Sequence, residues 1–238
     1  MSVETKRPKL FAQYKILLKK DLRLEFRTKE MLTSMGIYAF LVLVVFGAGL
    51  AQTALAIDIL QMSGGLLWVL IVFTSLLGLN RSFSHEKEQS CIEGMLLAPM
   101  DRSMVFLAKA TSNLLFLFAV EIITIPFFYF FFLTTTTPAE SFWMIILPLF
   151  VGTVGIAGIG TLLSTITINT RGKDVLLAVL FIPLIYPLLY ACVSATTVAI
   201  TGNEFFADVF YPSLALAGVY DVVMVLLSWV LYDFVISA

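Results

Sequence analysis

Residues 175–200 read VLLAVLFIPLIYPLLYACVSATTVAI, a stretch without one charged side chain. A non-alternating apolar run longer than about 17 residues is suited to crossing a bilayer as a helix, because lipid offers backbone N–H and C=O groups no partner outside the helix itself. Working outward, similar runs cover Met31–Ala51, Met62–Leu79, Val105–Leu133 and Phe142–Ile168 upstream, and Ser213–Ile236 downstream. The chain therefore reads as an all-α integral membrane protein with six transmembrane helices. Its composition agrees: 60% hydrophobic and 13% charged, with a mean hydropathy of +0.98, lies far from soluble usage.

The bases orient the chain. Of 15 Lys and Arg, nine precede residue 30; Arg81, Lys87, Arg102 and Lys109 cluster around residues 80–104, and Arg171 and Lys173 are the last. The loops at 52–61, 134–141 and 201–212 carry only acids: Asp58, Glu140, Glu204 and Asp208. Short basic loops stay on the cytoplasmic side. Both termini and the loops 80–104 and 169–174 are thus expected in the cytoplasm, and the acidic loops outside. About 30 mostly polar residues precede the first apolar run, so no cleavable leader is expected and the first span should remain as an anchor. Cys91 should be a reduced thiol and Cys192 a packing residue; no CxxC supports a redox or zinc role.

Residues 1–30 form a unit of their own ahead of a six-span body, 31–238. Leu10, Tyr14, Leu17, Leu18 and Leu22 recur at helical spacing, while Lys15, Lys19, Arg23 and Arg27 step by four along another face. This is a basic amphipathic helix suited to the inner membrane surface. Asp21 and Glu25 fall inside its apolar arc, where anionic head groups would repel them. Either this face packs on protein, with Arg102 or Lys109 as partner, or the helix is irregular there and both acids are solvated.

The loop 80–104 is the most structured polar stretch. Ser84 is placed to cap a helix, although Lys87 stands where a capping box would want Glu. Glu86 and Glu88 then fall in the first turn, favoured by the helix dipole. Ile92, Met95, Leu96 and Leu97 supply an apolar face, and Pro99 ends the helix. A short helix of this kind either docks into a groove on a soluble partner or floats at the interface as a re-entry segment.

Read with its flanks, this loop resembles the haem exporter protein B (CcmB) family, ABC-type permeases of cytochrome c maturation. The matching stretches are LKKDLRLEFRTKE (18–30), FSHEKE (83–88), IEGMLLAPMDR (92–102) and KATSNLLF (109–116). Beyond about residue 120 the likeness rests on hydropathy and on Asn169–Asp174. The resemblance implies a permease of the bacterial inner membrane working with a separate ATPase, beside haem-handling membrane proteins and a second copy of itself. It implies that Ser84–Met100 is the coupling helix, with His85, Glu86, Lys87, Glu88, Glu93, Pro99, Asp101 and Arg102 at the ATPase contact. It makes the amino-terminal helix an elbow whose contacts include Asp21, Arg23, Glu25 and Arg27.

The chain has no GxxxxGK[ST], so nucleotide hydrolysis is expected in another polypeptide. No carboxylate pair, Ser/His/Asp set or metal-ligand cluster supports an enzyme, and nothing suggests a nucleic-acid partner. The one histidine, His85, falls on the cytoplasmic side, so haem and ATP are expected to engage through partner subunits rather than as cofactors of this chain. Within the spans, Glu121 and Asp221 are costly ionisable groups and hence functional candidates, or else neutral, hydrogen-bonded side chains. Asp221 is expected nearer the outer face. Pro183 and Pro187 remove the helical donors to the carbonyls of Val179 and Pro183, giving either a gate or a static kink. Gly152, Gly155, Gly158 and Gly160 form a small-residue face for packing within the subunit or across a dimer. The leading reading is an ABC permease acting in haem delivery. Its alternatives are an export permease for a lipid or polysaccharide, a proton-driven carrier using Glu121, and a non-transporting scaffold.

Overall fold

The computed structural model describes residues 9–51, 59–88, 101–133, 139–167, 170, 172–202 and 206–237. All regular structure among them is helical: α1 (Leu10–Thr28), α2 (Glu30–Ala51), α3 (Ile59–Glu88), α4 (Arg102–Phe132), α5 (Ala139–Thr167), α6 (Lys173–Thr201) and α7 (Phe206–Ser237). Helices α2 to α7 are each long and apolar enough to span a membrane, and α1 is not. The chain is a multi-pass membrane protein of six spans preceded by one amphipathic helix.

The helix ends follow from local chemistry. Asp101 caps α4 by accepting from the Ser103 N–H at 2.9 Å. Gly202 ends α6 in the left-handed region, φ 62°, where its missing Cβ removes the steric cost, and its N–H reaches the Val198 carbonyl. Between α1 and α2 the same left-handed turn is made by Lys29, φ 54°, with its N–H on the Glu25 carbonyl at 2.6 Å.

Two boundaries differ from the sequence reading by more than three residues. The last span begins at Phe206 rather than Ser213, because Pro212 lies inside the second turn of α7, where it forfeits one bond instead of stopping the helix. Helix α3 runs on without a break to Glu88. Ser84 is therefore not the cap of a new helix; residues 84–88 are the final turn of α3, just beyond the span Ile59–Ser82. The continuous ladder wins because nothing between Asn80 and Glu88 is a Gly or Pro that would end it. Residues 89–100, with Glu93 and Pro99, lie outside the described residues.

Helix α5 is the centre of the bundle and touches α3, α4, α6 and α7. Its four glycines do not share one face. A Cβ on Gly152 would press on Trp68 of α3 and Cys192 of α6; on Gly155, on Asp221 of α7 and Leu188 of α6; on Gly158, on Val225 of α7; on Gly160, on Leu79 of α3. They let neighbours approach on several sides within the subunit. Cys192 is buried there, as packing requires. Hydrogen bonds add to this: Trp68 Nε1 donates to Thr196 Oγ1 at 3.0 Å and Asn113 Nδ2 to Thr161 Oγ1 at 2.9 Å. Helices α2 and α7 leave most of their apolar surface outward, toward lipid or partners.

Candidate functional site

The helix ends gathered around α1 carry the densest set of charged contacts. The buried stripe of α1 is Gln13, Leu17, Asp21 and Glu25, spaced four apart and mostly polar. Each polar member has a partner. Gln13 Oε1 accepts from the backbone N–H of Asp101 at 2.9 Å. Asp21 meets Lys109 of α4 at 3.3 Å with both side chains buried, and also receives the Ser112 hydroxyl and Lys20. Glu25 Oε1 accepts from the Leu32 N–H at 2.8 Å, satisfying a donor in the first turn of α2. Leu17 joins Val105, Phe106, Leu162 and Tyr232 in a small apolar core beside these ties.

Of the two explanations offered for the acids inside the apolar arc of α1, the structure has the protein-packed one, with Lys109 as the partner of Asp21 and the Leu32 N–H as that of Glu25. Arg102 does something else: it reaches Asp233 near the end of α7, at 3.5 Å on the surface. Arg23 and Arg27 point outward from α1, as do Phe11 and Phe26. Arg81, close to the end of α3, pairs with Glu30 at the start of α2 at 3.3 Å, again exposed. Such surface pairs contribute ~0–1 kcal/mol each and serve mainly to mark which ends lie together. Both flanks of the loop 80–104 are thus tied to neighbouring helices. Backbone for His85, Glu86, Lys87 and Glu88 is the last turn of α3.

A second polar set lies in the middle of the spans. Glu121 of α4 is buried and accepts the Thr153 hydroxyl of α5 at 2.7 Å. Thr74, Ser75 and Thr124 line a small crevice beside it. Asp221 of α7 is also buried and packs against Gly155, and its Oδ1 has no hydrogen-bond partner among the described residues. Thr153 and Gly155 are two residues apart, so both acids contact α5 at nearly one depth, about 3 Å apart along its axis. This corrects the expectation that Asp221 lies toward the outer face. The earlier start of α7 puts it mid-helix, out of snorkelling reach. Its neighbour Tyr220 donates its hydroxyl to the carbonyl of Leu184, between the two prolines of α6. Helix α6 passes through Pro183 and Pro187 unbroken, and both prolines face outward with Tyr186 and Tyr190. Sequence reasoning did not find the Tyr220 bond; a tyrosine beside a buried acid, opposite a proline pair, was the available signal.

The profile of the family described as CcmB protein matches residues 12–232, nearly the whole chain. The chain belongs to the CcmB protein family. Among curated CcmB relatives, "Heme exporter protein B" of Pseudomonas aeruginosa is 26% identical over 176 residues, 74% of this chain and 77% of that protein. The protein of the same name from Rhodobacter capsulatus is 27% identical over 176 residues, 73% and 77% of the two chains. That from Paracoccus denitrificans is 26% identical over 207 residues, 85% and 91%. The resemblance seen in the loop and elbow thus extends across all six spans.

Proposed function

We propose that this chain is the permease subunit of an ABC-type haem exporter that serves cytochrome c maturation in a bacterial inner membrane. The observation that carries the reading is membership of the CcmB family over residues 12–232, with relatives named for haem export. Six spans supply the membrane passage, and a chain without a phosphate-cradling loop needs a separate ATPase. The ATPase would dock on the loop 80–104, through His85, Glu86, Lys87, Glu88, Glu93, Pro99, Asp101 and Arg102. Both termini would lie in the cytoplasm. Haem-handling membrane proteins and a second copy of the chain would complete the complex, the chain itself doing no chemistry and holding no resident cofactor.

Physically, the subunit would act as a conductor of motion. ATPase movement enters at the loop, whose two ends are tied to α1, α2 and α7, and is passed to the spans. The test is association. Charge reversal at Glu86 and Glu88 together should weaken pull-down of the ATPase subunit while membrane insertion persists, since close interfacial charge pairs carry on the order of 1.5–7 kcal/mol. Unchanged pull-down and unchanged ATPase stimulation would make the loop a mere interfacial segment. The proton-driven carrier keeps one supporting feature, the two buried acids against α5. It requires Glu121→Gln to abolish function, whereas the permease reading does not.

A further inference from the structure

We propose that α1 and the first turns of α4 form one rigid crank that carries displacement of the loop 80–104 to α2, with Asp21, Lys109 and Glu25 as its positioning residues. The inference rests on the reading that an ATPase docks on this loop. Two ties define the rigid body. Gln13 meets Asp101, and Asp21 meets Lys109. The two ties are eight residues apart on each helix, 13 to 21 and 101 to 109, so each spans about 12 Å of helix axis. Equal spacing means that the helices run side by side in the same direction and in step. Leu17 fills the space between the ties against Val105 and Phe106. A buried charge pair of this kind adds little net stability over an apolar contact, but it strongly resists separation and slip, because either motion would strand a charge.

The far end of the crank is the corner at Lys29. Glu25 holds both sides of it: its backbone carbonyl accepts from the Lys29 N–H at 2.6 Å and its carboxylate from the Leu32 N–H at 2.8 Å. The Lys29 carbonyl in turn accepts from the Thr33 N–H at 3.0 Å. Lys29 is the single non-glycine residue with positive φ among the described residues. A corner so completely bonded passes rotation of α1 to α2 instead of absorbing it. Helix α2 is free to respond, since most of its surface lies outside the bundle. Asp101 is the cap of α4 and lies near the carboxyl-terminal end of the loop 80–104, so the crank begins where the ATPase would push.

Three measurements on the full chain with its partners test this. A disulfide formed between Asp21→Cys and Lys109→Cys, with Cys91 changed to Ser, should raise maturation of c-type cytochromes above its level in the same variant under reducing conditions, because the cross-link replaces the lost ion pair and nothing in the crank has to part. Loss on oxidation that reductant restores would overturn the proposal. Glu25→Ala should lower maturation several-fold, within the roughly two- to thirtyfold span of coupling losses along contiguous networks, with ATPase co-purification unchanged. Glu25→Gln should retain activity through its amide oxygen. Full activity in Glu25→Ala sinks the corner. Nitroxides at the exposed Lys19 and Leu107 should give one narrow distance in the isolated chain. A broad distribution there removes the rigid body whatever the function is. Failure of the ATPase to co-purify with the unaltered chain counts only against the docking reading.

Discussion

At the scale of single residues, the buried polar groups sort by whether a partner meets them. Glu121 receives the Thr153 hydroxyl, and glutamine offers an oxygen in the same place. We expect Glu121→Gln to keep both the fold and cytochrome maturation, and Thr153→Val to lower stability by about 0.6–1.7 kcal/mol, the usual worth of an interhelical side-chain bond in a membrane. Thermal unfolding in detergent and a maturation assay read the two outcomes. A dead but folded Glu121→Gln would show that the proton itself is used. Lys109→Met tests the other buried site. Removing one partner of a buried pair costs about 3–5 kcal/mol. The loss here should fall near the lower limit, since Lys20 still pairs with Asp21. His85→Ala should leave maturation largely intact, and the isolated chain should show no stoichiometric Soret band. A haem spectrum that vanishes in His85→Ala would contradict that.

At the scale of helices, close approach governs α5. Gly155→Ala would drive a Cβ into Asp221 and to 2.6 Å from Leu188 Cδ2, an overpacking expected to cost about 1–3 kcal/mol. Gly65→Ala in α3 meets nothing within 4 Å and should be neutral or stabilising. Equal melting of the two variants would refute the packing assigned to α5. The helices themselves were legible in the sequence, because lipid imposes length and hydropathy on each one. The mismatch of Asp21 and Glu25 with their apolar arc was legible too, and Lys109 was among the bases named for it. What stayed hidden depended on which helices become neighbours. Arg102 turns to Asp233, across 131 residues of sequence, and no local pattern connects them. The glycines of α5 looked like one face only because their spacing was read without knowing that four helices surround α5. Ser84 has the composition of a helix cap, yet an unbroken helix arriving from the membrane overrides that local preference.

At the scale of the whole molecule, the positive-inside arrangement yields the broadest prediction. A cysteine placed at Glu140 should react with an impermeant reagent on intact cells, and one at Arg102 should not. Labelling at Arg102 alone would invert the orientation proposed above. The position of α5 also has a consequence for how the protein is made. Two of the contacts that fill its glycine notches, at Gly155 and Gly158, come from α7, which is synthesised after it. From Thr167 to Ser237 is 70 residues, which takes roughly 4–14 s at ordinary rates of translation. During that interval the fifth helix waits in lipid with part of its surface unfilled. Chains ending before Phe206 should therefore be cleared by membrane proteases much faster than the full chain, which pulse–chase labelling can compare. Birth order and packing order do not coincide here: the central helix is not finished until α7 arrives.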